Sequence, residues 1–201
     1  MPHPSNGLRA QARWHALVWL LTAACAGAVQ AEPSHADTAP PESETFSEGS
    51  RLWSVTEGTS RHRTFARLYA TQVAVSQYVR KNLALEYGAV ITYADAERNA
   101  NGFLAGPEFG MRWHAMTGRR WSAYMDGVVG AVFQEHPLSQ DSLRFNFDVQ
   151  AGFGGTYRMT KQELLLGGFR WQHLSNCQIR GRRHNLGYDA PMLYLGMARS
   201  F

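Results

Sequence analysis

The feature that most constrains this chain is an alternation of apolar and polar side chains with a period of two residues. It is clearest in residues 145–157, where the odd positions from Phe145 to Tyr157 are apolar or Gly and the even positions are polar or Gly. Successive side chains point to opposite faces of a β-strand, so such a segment presents one apolar and one polar face. The pattern predicts a protein built of β-strands.

The same alternation recurs in three further segments of the chain. Their apolar positions are Leu83, Leu85, Tyr87 and Ile91; Phe109, Met111 and Trp113; and Met125, Val129 and Phe133. The opposite positions are Asn82, Glu86 and Thr92; Glu108, Arg112 and His114; and Ser122, Asp126 and Gln134. Charges spaced at intervals among Gly residues suit the narrow polar lumen of a barrel better than an open solvent face.

The spacing of these segments predicts the fold. Counted back from the C-terminus, they give strands at 190–201, 162–175, 144–158, 121–134, 104–115 and 82–93, with two less regular strands at 64–79 and 48–56. Short links at 80–81, 116–120 and 159–161 alternate with longer polar links at 94–101, 135–141 and 176–189. This arrangement is typical of bacterial outer-membrane barrels. The predicted fold class is all-β, an eight-stranded antiparallel transmembrane β-barrel of the outer membrane; a soluble lipocalin-like barrel is the alternative.

The N-terminal region differs from the rest of the chain. Arg9 and Arg13 precede an apolar stretch at 16–28, and Val29-Gln30-Ala31 follows where a signal peptidase would cleave. This predicts a secretory signal peptide at 1–31, with lipidation of Cys25 as the alternative. The acidic, Pro-rich residues 32–47 predict a flexible periplasmic tail, which leaves 48–201 as the barrel domain.

Charge and cysteine content exclude several other classes of protein. Cleavage at residue 31 would take Arg9 and Arg13 from the 20 basic residues, and the remaining 18 are nearly balanced by 16 acidic residues. Such a balance argues against a nucleic-acid partner. Cleavage would also remove Cys25, and Cys177 alone cannot form an internal disulfide. No later segment is long and apolar enough for a membrane helix, so the expected outer-membrane location requires a barrel.

The penultimate predicted strand ends in two residues that could perform chemistry. Its apolar odd positions, which include Trp171, continue directly into His173 and Ser175. The two α-carbons would lie about 6.5–7 Å apart on one face, close enough for an imidazole to act as general base for a serine hydroxyl. The strand order places the pair near the outer leaflet of the membrane. Trp171 itself is interpreted as part of the interfacial aromatic belt.

The run His173-Leu174-Ser175-Asn176, followed by Asn185-Leu186-Gly187 and then Asp189, resembles the end of the PagL-type lipid A 3-O-deacylases. The resemblance is strongest over residues 164–201. It implies an eight-stranded outer-membrane barrel with Ser175 as nucleophile and His173 as base, and with Asn176 and Asn185 as supporting residues near the oxyanion site. Asp189 stands where the family has the Glu of its catalytic triad, and the resemblance implies that Asp189 is the triad acid. Cys177 and Gln178 stand where the family has small residues including Gly.

The resemblance implies a serine esterase that removes the 3-O-linked acyl chain of lipid A without a metal or another cofactor. Lipopolysaccharide and outer-membrane lipid are then the expected partners, with a homodimer left open. Three basic residues of the last loop, Arg180, Arg182 and Arg183, suit the phosphates of lipid A, with a generic surface charge run as the alternative. Two other functions remain open: an outer-membrane phospholipase, a family that shares the H-x-S-N run in a larger barrel, and a catalytically silent structural barrel.

Overall fold

The computed structural model of the protein describes residues 45–63, 66–96, 101–138, 143–181 and 184–201. Within them, eight strands pair in chain order into a closed antiparallel barrel, which confirms the predicted fold class. The strands are β1 (Arg51–Arg61), β2 (Ala66–Arg80), β3 (Leu83–Ala96), β4 (Gly102–Thr117), β5 (Trp121–Gln134), β6 (Phe145–Arg158), β7 (Glu163–Ser175) and β8 (Tyr188–Ser200). The predicted signal peptide at 1–31, and residues 32–44 of the predicted tail, lie outside the described residues.

The links between strands alternate between the two ends of the barrel. The links 81–82, 118–120 and 159–162 lie at one end, here called the turn end. At the other end, here called the loop end, β1, β3, β5 and β7 finish and β2, β4, β6 and β8 begin. In the part of the chain that the structure describes, no helix is long and apolar enough to cross a membrane.

Most strand ends agree with the prediction to within a few residues, and β1 differs most. The alternation predicted a strand at 48–56, whereas β1 spans Arg51–Arg61. Its pairs run from Arg51 opposite Gln77 to Arg61 opposite Arg67, and its other edge pairs with β8. Glu57 interrupts the apolar side of this strand, so the sequence pattern stops early while the hydrogen-bonded ladder continues.

The predicted division into an outer apolar face and an inner polar face is confirmed. On β4, Phe109, Met111 and Trp113 are about half exposed, whereas Arg112 and His114 are buried. The other strands carry exposed apolar side chains in the same way, among them Met125, Val129, Phe153, Leu193 and Leu195. Together they form an apolar belt around the outside of the barrel.

The lumen is filled by paired charges. Asp126 Oδ2 accepts hydrogen bonds from Arg170 Nη2 at 2.8 Å and from Arg112 Nη2 at 3.2 Å. Arg112 Nη1 also lies 3.1 Å from Glu86 Oε1. A cavity of about 30 Å³ remains beside these side chains, room for a water molecule or two. The centre of the barrel is therefore a packed polar core.

Both ends of the lumen are closed by side chains. At the turn end the Phe46 ring stacks on the His114 ring with centroids 3.8 Å apart, and His114 Nε2 is hydrogen-bonded to the Tyr78 hydroxyl at 2.9 Å. At the loop end Leu138 and Leu186 join a buried apolar cluster. The sequence placed the start of the barrel domain at residue 48. Because the Phe46 ring fills the turn end, packing against the barrel begins before that residue.

Candidate active site

His173 and Asp189 form an acid–base pair at the loop end of β7 and β8. The two residues lie directly opposite each other in the β7–β8 register. His173 Nδ1 lies 2.8 Å from Asp189 Oδ1, and because a carboxylate only accepts, the ring donates through Nδ1–H. This leaves Nε2 of the imidazole as the acceptor. Both side chains are about half exposed, at 42% and 47%, on the outside of the barrel.

Ser175 follows His173 on the same side of β7, where the strand ends. Ser175 is buried, with only 7% of the residue exposed. Ser175 Oγ accepts a hydrogen bond from the Cys177 backbone N–H at 3.1 Å. Across the described residues Ser175 has no hydrogen bond to His173. In this resting arrangement the acid–base contact is formed and the base–nucleophile contact is not.

The turn after Ser175 has a left-handed backbone at two residues that are not glycine. Cys177 has φ = 54° and Gln178 has φ = 60°, and the Ile179 N–H donates to the Asn176 carbonyl at 3.2 Å. Positive φ at both central residues of such a turn is the pattern of type I′, which favours Asn and Gly. Cys177 is thus exposed at a tight turn just beyond the end of β7.

Asn176 and Asn185 hold the last loop together. The Asn176 backbone N–H donates to Asn185 Oδ1 at 2.9 Å, and Asn176 Oδ1 accepts from the Gln178 N–H at 3.0 Å. Asn176 Nδ2 donates to the His184 carbonyl. The Asn176 side chain is fully buried, so its amide fixes the turn and does not point at open space. The donor that contacts the serine hydroxyl is instead the backbone N–H of Cys177.

Trp171 contributes a contact that the sequence interpretation missed. Its indole Nε1 donates to Asp189 Oδ1 at 3.4 Å, the same oxygen that accepts from His173. The sequence pattern assigned Trp171 to the aromatic belt, and its ring is indeed half exposed. Only the β7–β8 register brings the indole next to a carboxylate.

The predicted basic cluster is described only in part. Arg180 is exposed in the turn region after β7, while Arg182 and Arg183 lie outside the described residues. Within the described part of the chain there is no group of three or more His, Cys, Asp or Glu side chains arranged to hold a metal ion.

The closed eight-stranded barrel, its outer apolar belt and its filled polar lumen define the fold as that of outer-membrane β-barrels. The structure is similar to Neisserial surface protein A, with a TM-score of 0.54, 11% identity, and coverage of 77% of this chain and 98% of that one. It is also similar to the outer membrane protein OprG from Pseudomonas aeruginosa, with a TM-score of 0.55, 10% identity, and coverage of 77% and 97%. No family model and no curated protein matches the sequence. At such low identities the structural likeness extends to the fold alone.

Proposed function

We propose that this protein is a serine esterase of the bacterial outer membrane that hydrolyses the 3-O-linked acyl chain of lipid A. The observation that carries the proposal is the His173–Asp189 hydrogen bond of 2.8 Å, with Ser175 two residues along the same face. A carboxylate that fixes the tautomer of an imidazole next to a serine is the arrangement of a serine hydrolase triad. The choice of lipid A as the substrate rests on the resemblance of residues 164–201 to the lipid A deacylases.

The placement of the site supports a lipid substrate. The triad candidates lie at the loop end, which faces the cell exterior in outer-membrane barrels, and they adjoin the apolar belt. An ester at the boundary between lipid headgroups and acyl chains could reach this position without leaving the membrane. Arg180 lies in the same loop region, where a phosphate of lipid A could bind its guanidinium group.

The proposed mechanism begins with a rotation of Ser175 about χ1, which carries Oγ from the Cys177 N–H to His173 Nε2. The hydroxyl oxygen attacks the ester carbonyl while its proton moves to Nε2, and Asp189 stabilises the imidazolium. The Cys177 N–H is then free to donate to the developing oxyanion. The proton passes to the departing 3-hydroxyl oxygen. Water, activated by His173, releases the fatty acid and restores the serine.

The catalytically silent barrel is the second candidate, and one observation favours it. Ser175 Oγ is hydrogen-bonded to the Cys177 N–H and not to His173. If that contact persists, the hydroxyl has no base and the site is inert. The phospholipase alternative belongs to a larger barrel, and the eight strands found here do not favour it.

The deciding experiment compares lipid A from bacteria that produce the protein with lipid A from bacteria that do not, by mass spectrometry. We expect loss of one 3-O-linked acyl chain with the unmodified protein and with Cys177→Ser, and no loss with Ser175→Ala. All three proteins should assemble, which the difference in gel mobility before and after heating can check. Intact lipid A in the presence of assembled protein would reject the proposed deacylase activity.

A further inference from the structure

Basic side chains surround the turn end of the barrel. In the described part of the chain, the basic residues that lie at this end outside the lumen are Arg51, Arg80, Lys81, Arg119, Arg120, Lys161 and Arg199, here called the basic ring. All but Arg199 are exposed. The acidic side chains that the structure describes at the same end are Glu48 and Glu163. The turn end therefore carries a large excess of positive charge.

Most of this charge is not neutralised by acidic side chains of the protein. Arg199 is close to an acid, with Nη1 4.0 Å from Glu163 Oε1. Among the described residues, no ion pair involves Arg80, Lys81, Arg119 or Lys161. The buried guanidinium groups of the lumen, by contrast, all face carboxylates near the centre of the barrel. The basic ring is thus a surface suited to an external anionic group.

The basic ring follows the whole circumference of the barrel. Arg51 begins β1 and Arg199 lies near the end of β8. Each of the three links between them at the turn end, 81–82, 118–120 and 159–162, contains at least one further basic residue. A protein partner docks against one side of a barrel, whereas a lipid leaflet surrounds it on all sides. The distribution of the charges therefore fits lipid better than a protein partner.

The basic ring also lies at the edge of the apolar belt, where lipid headgroups begin. Lys81 comes two residues after the exposed Val79, and Arg120 directly precedes Trp121. Trp121 lies opposite Tyr157 of β6, and both rings are about half exposed on the outer face. Outward-facing Trp and Tyr side chains are typical of the boundary between acyl chains and headgroups. Long basic side chains beside them can extend their charged groups to the level of the phosphates.

We propose that the basic ring binds the phosphate groups of anionic phospholipids in the periplasmic leaflet of the outer membrane. The short links of outer-membrane barrels face the periplasm, which gives the leaflet. Guanidinium and ammonium groups donate charge-assisted hydrogen bonds to phosphate oxygens. The attraction of one basic residue to an anionic membrane surface corresponds to about a fivefold preference. These contacts hold the turn end at the level of the headgroups, and they do not depend on the proposed esterase function.

The test measures which lipid surrounds the turn end. The protein is purified from outer membranes and reconstituted into phosphatidylcholine vesicles with the same small fraction of brominated phosphatidylglycerol or brominated phosphatidylcholine. Bromine quenches tryptophan fluorescence at short range, and Trp53, Trp113 and Trp121 all lie toward the turn end. We expect phosphatidylglycerol to quench about twofold to fivefold more strongly than phosphatidylcholine. At about 1 M salt, where the screening length is about 3 Å, the two lipids should quench equally.

The decisive variant is Lys81→Gln/Arg119→Gln/Lys161→Gln, which removes one charge from each of the three links. We expect it to assemble, as judged by gel mobility before and after heating, and to lose the excess quenching by phosphatidylglycerol.

The matched control, Arg61→Gln/Arg63→Gln/Arg144→Gln, removes three exposed charges at the loop end and should keep the excess. Equal quenching by both lipids in the unmodified protein, or an undiminished excess in the turn-end variant, would overturn the proposal. So would retention on purified peptidoglycan that depends on the basic ring and occurs without any lipid preference, since the ring would then bind the cell-wall polymer instead.

Discussion

Asp189 lies directly opposite His173 in the β7–β8 ladder, and its Oδ1 accepts the Nδ1–H hydrogen bond at 2.8 Å. A side chain one methylene shorter than Glu thus reaches the imidazole, because the backbone of the neighbouring strand brings it there. Twelve residues (176–187) separate Ser175 from the start of β8. The contact between Asp189 and His173 depends on the pairing of β7 with β8, and not on the conformation of this loop.

The first prediction concerns this carboxylate. Asp189→Asn should reduce kcat by on the order of 10⁴-fold, since the amide neither fixes the useful tautomer nor stabilises the imidazolium. Asp189→Glu should also reduce kcat, but less, because the longer side chain keeps the carboxylate but must bend to bring an oxygen to the same His173 Nδ1–H. Hydrolysis of 4-nitrophenyl esters by the assembled proteins measures both. Full activity in Asp189→Asn would leave Ser175 and His173 as a dyad.

The second prediction separates the two roles of Trp171. Trp171→Phe keeps an aromatic ring on the outer face but removes the N–H that bonds Asp189 at 3.4 Å. One weak hydrogen bond of about 0.5–1 kcal/mol corresponds to a two- to fivefold loss in kcat, with KM unchanged. A pure belt residue would show no loss. Trp113→Phe, at a belt position remote from the triad, is the matched control.

The third prediction concerns the strained turn. Gln178 holds a left-handed backbone that costs a side-chain-bearing residue about 1–2 kcal/mol, and Gly avoids that cost while losing about 0.5–1 kcal/mol of chain entropy. Gln178→Gly should therefore stabilise the loop by about 0.5–1 kcal/mol. Slower proteolysis of the loop after Ser175 measures this. Gln178→Ala retains the Cβ and should bring no gain; equal behaviour of the two variants would contradict the role of strain.

The fourth prediction concerns the lumen. Asp126→Asn removes the negative charge shared by Arg112 and Arg170. The two buried guanidinium groups then have less negative charge nearby to neutralise them. Loss of one partner in a buried ion pair costs about 3–5 kcal/mol. We expect a large drop in the temperature at which the barrel loses its folded gel mobility. Glu135→Gln, which affects an exposed pair with His136, should change that temperature little.

Much of the fold follows from the sequence because alternation is a local property. The faces of Phe109, Arg112 and Asp126 could each be assigned from the parity of their positions, and the structure confirms them. Phe46 was not predicted to pack in the barrel, because a single aromatic residue next to a Pro-rich segment has no periodic signal. The contact from Trp171 to Asp189 was missed for a related reason. A Trp near the membrane interface is usually assigned to the aromatic belt, and the sequence pattern gives no sign of a further contact.

The sequence by itself determined the strand number, the inner and outer faces, and the placing of His173 and Ser175 on one side of one strand. All of these depend on residues close together in the chain, where strand geometry fixes which side chains share a face. The tertiary structure alone decided that Asp189 pairs directly with His173 across β7 and β8, and that the Cys177 N–H donates to Ser175 Oγ. These contacts depend on inter-strand register, which is set when eight strands close into a barrel and every backbone group finds its partner.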